Sequence, residues 1–322
     1  MPRISDFMHT HFRHFNARET LAAAEGWRDV LARDGKMFLS MAGAMSTAEL
    51  GRSLSKMIHW DKVHAICCTA ANLEEDVFNL FAHHDYKAVR DYRHLSRQDE
   101  AFLRDSGFNR VTDTCIPETV MRRIEAVLLR MWAEAAETGK PGFPDEFVFR
   151  LLADKSMERY YQIPGEDSWV LKAAEKKIPI FTPGWEDSTL GNVFTAGVMS
   201  GKIKSHQAVH PGTALLQRLA NWYVENTKDG TPIGFFQIGG GIAGDFAICV
   251  VPMLKLDLGM AVPRWAYFAQ IGDSTTSYGS YSGAAPSEKI TWDKIGEDTP
   301  QFMINSDATI VAPLIFAYVL GE

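Results

Sequence analysis

Short apolar runs that alternate with amphipathic helical patterns constrain the fold of this chain more than any other feature. Strand-like runs occupy residues 37–43, 63–70, 178–183 and 233–240, and a helical pattern follows most of them. Continuous apolar strands separated by helices are typical of a mostly parallel sheet that is covered on both faces. The sequence therefore predicts an α/β fold with a Rossmann-like, mostly parallel sheet and helices on both of its faces.

Two segments are expected to add to this sheet. Residues 84–175 are mainly helical and polar in pattern, with clear helical periodicity over 117–137, and they predict a helical insertion. Residues 1–36 predict an irregular N-terminal arm followed by a helix around 21–32. The remainder, residues 37–322, is expected to form a single α/β domain.

Composition and charge argue against several classes of function. The chain of 322 residues has a formal net charge of −7 and no basic block, which argues against a nucleic-acid partner. No apolar run approaches the roughly 18 residues of a membrane span, and the first residues do not read as a signal peptide. The four cysteines show no paired spacing. We therefore expect a cytoplasmic protein with reduced thiols and no membrane partner.

The histidines do not predict a metal site. His9, His11 and His14 cluster near the N-terminus, and His206 and His210 stand four residues apart. A zinc site needs three or four ligands in a suitable arrangement, and the sequence has neither an HExxH motif nor a Cys/His set. No metal is expected.

Four acidic residues follow predicted strands and are candidates for a ligand site. These are Glu75, Asp187, Asp245 and Asp307. Because open parallel sheets bind ligands at the carboxyl ends of their strands, the four carboxylates would converge on one edge. Such an edge suits cations or ribose hydroxyls.

Each carboxylate also has a structural alternative. Asn72 and Glu75 fit an Asn-x-x-Glu capping box, which would make Glu75 part of a helix start. Asp187 would cap a turn through its side chain, and Asp307 would be the N-cap of the last helix.

A glycine pattern follows one of the strands. Gly239, Gly241 and Gly244 form G-x-G-x-x-G where a helix is expected to begin, which lets a backbone approach a pyrophosphate. The acidic residue that the usual dinucleotide motif places about twenty positions later is absent. Taken alone, the pattern also fits a simple turn.

A long segment rich in Gly, Ser, Thr and Tyr, residues 272–295, ends on Trp292 and Lys294. A long structureless segment inside a compact domain is usually a functional loop or a linker, and linkers seldom carry such aromatic residues. A lysine beside an indole loses hydration, which lowers its pKa and makes the neutral amine nucleophilic. The alternative is an ordinary exposed lysine.

Four motifs taken together resemble deoxyhypusine synthases and their bacterial relatives. They are TAANLEED (69–76), PGWEDSTLGN (183–192), QIGGGIAGD (237–245) and PSEKITWDKI (286–295), the last followed by INSDATIVAPLI. The resemblance runs from about residue 37 to the C-terminus. It implies that residues 37–322 form one NAD-binding domain of this family.

The resemblance also implies a chemistry. In that family NAD oxidises spermidine beside its secondary nitrogen, and a Trp-x-Lys lysine takes the aminobutyl group as an imine while diaminopropane leaves. The group then passes to an acceptor amine, and the retained NADH reduces the new imine. NAD as cofactor, polyamine substrates and a homotetramer with sites at subunit interfaces are therefore implied.

Carried over to this chain, Lys294 would be the imine-forming lysine. The substrate would be held by Trp292, Glu288, Asp245, Asn192 and Tyr281. The NAD site would comprise Thr47, Thr69, Ala70, Ala71, Glu75, Asp187, Gly240, Gly241, Asp307 and Ala308. Within that set, Glu75 and Asp187 would bind ribose hydroxyls.

Three positions depart from the family pattern. Asp245 stands where the family has a histidine, and Asn192 and Tyr281 each stand where it has an aspartate. The loop that contains Tyr281 is also several residues longer here. Two polyamine-binding carboxylates are lost and one is gained, which should change the amine that is held.

The predicted function is thus aminobutyl transfer from spermidine or putrescine to a small amine, of the homospermidine synthase kind. One alternative is a true deoxyhypusine synthase that modifies a lysine of a translation factor. The other is a non-catalytic protein that binds NAD or a polyamine.

Overall fold

A computed structural model describes residues 3–275 and 279–322. The helices it defines are α1 (Ile4–His11), α2 (Phe15–Ala32), α3 (Gly51–His59), α4 (Ala70–Ala82), α5 (Arg97–Asp105), α6 (Glu118–Thr138), α7 (Pro144–Ala153), α8 (Trp169–Lys176), α9 (Thr189–Met199), α10 (Gly212–Thr227), α11 (Gly241–Ile248), α12 (Val250–Pro252), α13 (Glu288–Thr291) and α14 (Ala308–Leu320). The strands are β1 (Lys36–Met41), β2 (Ala65–Cys68), β3 (Lys87–Ala88), β4 (Phe108–Val111), β5 (Thr114–Pro117), β6 (Ile180–Phe181), β7 (Ile233–Ile238), β8 (Tyr267–Gly272) and β9 (Gln301–Asn305).

The main sheet is parallel and doubly wound. Its order is β6-β2-β1-β7-β8-β9, and every neighbouring pair is parallel. The first strand, β1, lies in the centre of the sheet. The next strands extend the sheet to β6 on one side, and β7, β8 and β9 extend it on the other side. Strand order therefore reverses between β1 and β7, and sheets of this kind bind ligands beyond the carboxyl ends of the strands at such a switch point.

Alternate residues of each strand enter two separate hydrophobic cores, one on each face of the sheet. Met37 and Leu39 of β1 pack into the core that includes α2, α3, α4 and α14. Phe38, between them, packs into the opposite core with α10, α11 and α12. Because side chains alternate across a strand, a continuous apolar run buries both faces. The predicted fold class is confirmed.

A row of phenylalanines runs across the second core. Phe181, Phe38, Phe235 and Phe268 come from β6, β1, β7 and β8, and neighbouring rings stack with centroids 5.4–6.2 Å apart. Trp265 packs edge-on against this row and is fully buried. The row ends beneath the segment that carries Lys294.

The insertion differs in part from its prediction. Besides helices α5 to α8 it contains an antiparallel sheet of order β3-β5-β4, so the expectation of a mainly helical segment was wrong for these strands. The hairpin between β4 and β5 turns at Thr112, whose φ is +53°. Its strands are only four residues long, too short for a period-two pattern to stand out.

The N-terminal arm is not irregular, and that expectation was also wrong. Helix α1 places Met8 in the core, and the Ile4 amide donates to the Glu322 carbonyl at 2.7 Å. Helix α2 packs Trp27 into the same core. The eight residues of α1 give little helical signal of their own, and contacts with the far end of the chain stabilise the helix. The domain boundary after residue 36 stays a prediction.

Within the described residues, no helix has the length and apolar character needed to cross a membrane.

Candidate active site

Lys294 is held in place by the turn that follows α13. Asp293 adopts a left-handed φ of +58°, and its carboxylate is paired with Lys255 at 3.3 Å and with Arg264. The Lys294 amide donates to the Lys289 carbonyl, and the Trp265 amide donates to the Lys294 carbonyl, both at 3.1 Å. The backbone of the lysine is therefore tied to the buried edge of the sheet, and two cations support the strained residue before it.

The Lys294 side chain is buried and has a carboxylate partner. It is 5% exposed, and its Nζ donates to Asp245 Oδ1 at 3.0 Å. The Nζ also lies 5.2 Å from the ring centroid of Tyr281 and 5.6 Å from that of Trp292, which is itself 62% exposed. The sequence predicted a lysine sheltered by an indole; the structure adds the ion pair.

Asp245 reaches Lys294 from helix α11. Its side chain remains 48% exposed, and the same Oδ1 also accepts a hydrogen bond from Cys249 Sγ at 3.2 Å. Burial raises the pKa of the Cys249 thiol, so this group remains a protonated donor. Asp245 therefore faces both the lysine and the solvent side of the site.

These groups line one cavity of about 340 Å³, which we call the lysine cavity. Its lining residues are Asp245, Cys249, Gly279, Ser280, Tyr281, Ala284, Glu288, Lys289, Trp292 and Lys294. Five of the six residues that the sequence predicted for catalysis and substrate binding thus meet here. Residues 276–278 of the predicted loop lie outside the described residues.

Sequence reasoning missed Lys289. It is 3% exposed, and its Nζ has no hydrogen-bond partner among the described residues. Burial, and then the neighbouring Lys294, lower the pKa of Lys289 to about 8, against the opposite effect of Glu288 and Asp245. It lies within the motif PSEKITWDKI, but the motif gives no sign of its burial, which follows from the packing of the short helix α13 on the sheet.

Tyr281 is a neutral donor rather than an anion. It lies in a single 3₁₀ turn, Tyr281–Gly283, and its hydroxyl donates to Gln237 Oε1 at 2.9 Å. Burial, with Asp245 and Cys249 nearby, raises the pKa of Tyr281 well above its usual range. The phenol therefore cannot supply the negative charge of the aspartate that the resemblance places at this position.

The loop bearing Tyr281 packs directly on the glycine turn after β7. Gln237 Nε2 donates to the Gly239 carbonyl at 2.8 Å. A Cβ on Gly240 would lie 2.3 Å from the Ser282 Cβ, so only glycine permits this approach. Gly241 has a φ of +56° and open space around its Cα. Asp245 lies one helical turn further, so the glycine turn and the lysine cavity are about 6 Å apart along α11.

The start of α11 suits an anionic group. No side chain caps this helix, so the first N–H groups beyond Gly240 have no intrahelical acceptor. They lie beside the strand-order reversal between β1 and β7, where a dinucleotide phosphate binds in folds of this topology. Gly240 and Gly241 therefore fit the phosphates of NAD.

The neighbouring helix α4 begins at Thr69, which accepts from the Asn72 amide at 3.3 Å and donates to the Gly43 carbonyl at 2.8 Å. Ala70 is buried and Ala71 half-buried at this start. Thr69 is the N-cap, so the alternative of a capping box formed by Asn72 and Glu75 was wrong. The Asn72 side-chain Nδ2 instead donates to three backbone carbonyls, of Met41 at the end of β1 and of the two residues that follow it.

Glu75 is free for another role. It is almost fully buried, and it accepts a hydrogen bond from the Thr47 hydroxyl. Burial raises the pKa of Glu75, opposed by that bond. The predicted residues Thr47 and Glu75, which are 28 positions apart, are thus in direct contact.

Asn192 does not line the lysine cavity. It lies on α9 and lines a separate cavity of about 480 Å³ together with Glu74 and Glu75. Glu74, which sequence reasoning missed, accepts from the Thr189 and Leu190 amides at 2.9 and 2.8 Å. Burial raises the pKa of Glu74 to about 7, against these two bonds. The carboxylate of Glu74 is therefore occupied with the start of α9.

The remaining predicted residues lie near the two edge strands. Asp187 follows β6 and is exposed, and the N-cap there is Ser188, so the turn-cap alternative for Asp187 has no support. Asp307, after β9, is the N-cap of α14 and accepts from the Thr309 amide and hydroxyl, both at 2.8 Å. The alternative reading of Asp307 is therefore confirmed, and Ala308 is the first residue of that helix.

The model of the family described as deoxyhypusine synthase matches residues 5–319. The chain belongs to the deoxyhypusine synthase family. Among its relatives, the deoxyhypusine synthase-like protein of Nostoc punctiforme is 29% identical over 92% of this chain and 74% of its own length. That of Chlorobaculum parvum is 28% identical over 94% and 82%.

The structural comparison agrees on the fold. A crystal structure from Entamoeba histolytica, described as a deoxyhypusine synthase, superposes with a TM-score of 0.59 at 14% identity and covers 98% of this chain and 92% of its own. At that identity the likeness concerns the α/β fold alone. The family is one of transferases that move an aminobutyl group with NAD.

Proposed function

We propose that this protein is an NAD-dependent aminobutyltransferase that carries a 4-aminobutyl group as an imine on Lys294 and delivers it to a small amine, in the manner of a homospermidine synthase. The observation that carries the proposal is the buried Lys294 amine, 3.0 Å from Asp245, on the wall of a cavity one helical turn from the glycine turn. Nucleophilic lysines act from such partly desolvated positions.

The cofactor would lie along the carboxyl edge of the sheet. Gly240 and Gly241 would hold its phosphates, Glu75 and Asp187 its ribose hydroxyls, and the edge is completed by Thr47, Thr69, Ala70, Ala71, Asp307 and Ala308. When bound, NAD supplies a hydride acceptor for the donor amine and returns the hydride at the end. Asp307 already caps α14, so its contribution to that site would be the smallest.

The chain itself supplies the nucleophile. Asp245 holds the Lys294 nitrogen in place, and the amine, once it has lost a proton to solvent, adds to the iminium carbon of the oxidised donor. The C–N bond to the leaving amine then breaks, the departing nitrogen takes a proton, and the carbon remains bound to Lys294 as an iminium. Attack by the acceptor amine reverses these steps and frees the lysine.

The charges of the lysine cavity favour a small amine over a long polyamine. Asp245 and Glu288 are its two carboxylates, and Glu288 is exposed at the rim, where it would hold an ammonium end. Trp292 would lie along the alkyl chain. Tyr281 contributes no charge, and Asn192 lines the other cavity. Fewer carboxylates leave fewer partners for the ammonium groups of a buried polyamine.

The test is incubation of the purified protein with NAD, spermidine and putrescine, followed by chromatography of the amines. Formation of homospermidine would support the proposal. Product only with a protein acceptor would overturn it in favour of a true deoxyhypusine synthase, and no product with any amine would favour a binding protein. Borohydride added with the donor should increase the mass of the peptide bearing Lys294; labelling of another lysine would contradict the assignment.

By family analogy we also propose a cytoplasmic homotetramer with its sites at subunit interfaces. Light scattering of the purified protein checks the tetramer, and a monomer that retains full turnover would contradict shared sites. Truncation checks the proposed division after residue 36: a chain that lacks residues 1–36 should fold and turn over if residues 37–322 form the catalytic domain, and an unfolded product would contradict it.

A further inference from the structure

Lys289 has a buried ammonium group for which the described residues provide no hydrogen-bond acceptor. Its side chain is 3% exposed, lines the lysine cavity, and makes no hydrogen bond with any described residue. Native proteins pair nearly all buried polar groups, so an unpaired one that faces a cavity points to a missing partner. Lys294, in the same cavity, has its partner in Asp245.

The surroundings of Lys289 provide only part of the stabilisation that a buried cation needs. Its Nζ lies 4.6 Å from the ring centroid of Phe268 and 5.0 Å from that of Tyr281. Such contacts stabilise a cation less than burial of an unpaired charge destabilises it. The nearby charged groups are Lys294, which repels it, and Glu288 and Asp245, which attract it without a hydrogen bond.

We propose that Lys289 binds a carboxylate on the acceptor substrate, so that the acceptor is an amine that also carries a carboxylate, such as an α,ω-diamino acid. This inference rests on the proposed function of Lys294 and names the substrate class of the same site. A carboxylate would supply the absent acceptor and neutralise the second cation of the cavity.

The two lysines are close enough to serve one small molecule. Their Nζ atoms lie 5.0 and 5.2 Å from the centroid of the same Tyr281 ring, which limits their separation to about 10 Å. A carboxylate held at Lys289 therefore places the distal amine of a short diamino acid within reach of the iminium on Lys294. A plain diamine would instead bring a second ammonium toward Lys289, and like charges repel at this distance.

A matched pair of acceptors isolates the carboxylate. L-Ornithine and putrescine share the same carbon chain and amines and differ in one carboxylate. With spermidine as donor, kcat/KM for each acceptor is measured in the wild type and in Lys289→Met, which keeps the length of the side chain and removes its charge. Lys172→Met serves as the control, since Lys172 is paired with Glu175 on α8, away from the cavity.

We expect the wild type to favour ornithine over putrescine by at least about tenfold, the size of one desolvated charge contact. Lys289→Met should lose that preference through a lower kcat/KM with ornithine and a higher one with putrescine, since the repelling charge is removed, and the control should behave as the wild type. A wild type that prefers putrescine, or a preference unchanged in Lys289→Met, would overturn the inference.

The outcome can be separated from the fate of the proposed function. Borohydride trapping of the donor on Lys294 requires no acceptor. A trapped adduct together with no preference for ornithine would therefore refute the role of Lys289 and leave the proposed function of Lys294 intact. If no adduct forms, calorimetry measures the binding of ornithine and putrescine to the wild type and to Lys289→Met. Weaker ornithine binding by the variant supports the role of Lys289 in binding a carboxylate, and equal binding refutes that role.

Discussion

Two carboxylate–cation pairs of this protein differ in the function that their geometry allows. Asp145 and Arg218 join α7 to α10, and Asp245 and Lys294 join α11 to the turn after α13. Both pairs contain an aspartate and a long cationic side chain. They differ in how completely each charge is satisfied.

The Asp145–Arg218 pair is closed. Asp145 has no exposed side-chain surface, and both of its oxygens accept from Arg218, at 2.7 and 2.9 Å. The Ile180 amide adds a third bond, and the guanidinium lies over Phe143 and Phe181. Burial raises the pKa of Asp145, opposed by Arg218. A bidentate pair of this kind, with a fully buried carboxylate, holds elements together and leaves no free carboxylate oxygen for a ligand.

The Asp245–Lys294 pair is open. One oxygen makes one bond to the lysine, and nearly half of the Asp245 side chain is exposed to the cavity. Asp245 therefore remains partly solvated when the lysine moves away from it. The comparison teaches that an ion pair marks a reactive site when it is incompletely satisfied, rather than because it is buried.

The sharpest test of this contrast is Lys294→Ala. Aminobutyl transfer should fall at least about a thousandfold, since the covalent route is lost, while the free energy of unfolding changes by less than about 1 kcal/mol, because Asp245 remains solvated. Product chromatography and urea unfolding measure the two quantities. Retained transfer would show that Lys294 is not the nucleophile.

Asp145→Asn should have the largest effect on stability. It leaves the charge of Arg218 without its partner, and we expect a loss of about 3 kcal/mol in the free energy of unfolding. Urea unfolding provides the measurement. A loss below about 1 kcal/mol would mean that the closed pair is no more structural than the open one.

Lys289→Met should stabilise the protein in a pH-dependent way. The pKa of Lys289 is lowered to about 8 in the folded chain, so the unfolded chain binds this proton more tightly, and the wild type gains stability as the pH rises from about 8 to about 10.5. At pH 7 the variant should therefore be more stable by about 2 kcal/mol. This advantage should shrink across that range. An advantage that does not change with pH would show that packing, rather than charge, is responsible.

Asp245→Asn should change stability least. Because Asp245 is 48% exposed and an asparagine oxygen can still accept the hydrogen bond of the buried Lys294, we expect a smaller loss than that of Asp145→Asn in urea unfolding, together with an altered ratio of products from different amines. A loss as large as that of Asp145→Asn would abolish the distinction between the two pairs.

Much of the architecture was predictable from local pattern. The apolar runs around 37–43, 63–70, 178–183 and 233–240 each contain a strand of the main sheet, and the pattern over 117–137 became α6. Long periodic segments carry their own signal because their burial is repeated along the chain. The short hairpin of β4 and β5 and the helix α1 carried no such signal, since tertiary contacts hold them.

The residues of the candidate site were likewise predictable only in part. Lys294, Trp292, Glu288, Asp245 and Tyr281 were named from motifs, and they meet in one cavity. Glu74 and Lys289 were missed, because their burial depends on helices that pack from distant parts of the chain. Asn192 was named with them and lies on α9 in a separate cavity, since its motif gives no information about which side of the sheet edge α9 faces.

The sequence by itself determined the fold class, the family and the residue types available for chemistry, because apolar periodicity and ordered motifs are local properties of the chain. Only the tertiary structure decided which charges meet and which are left without partners. Lys294 is paired with Asp245, whereas Lys289 lies above two aromatic rings with no hydrogen-bond partner in the described part of the chain. That difference depends on desolvation and on distances between segments far apart in sequence.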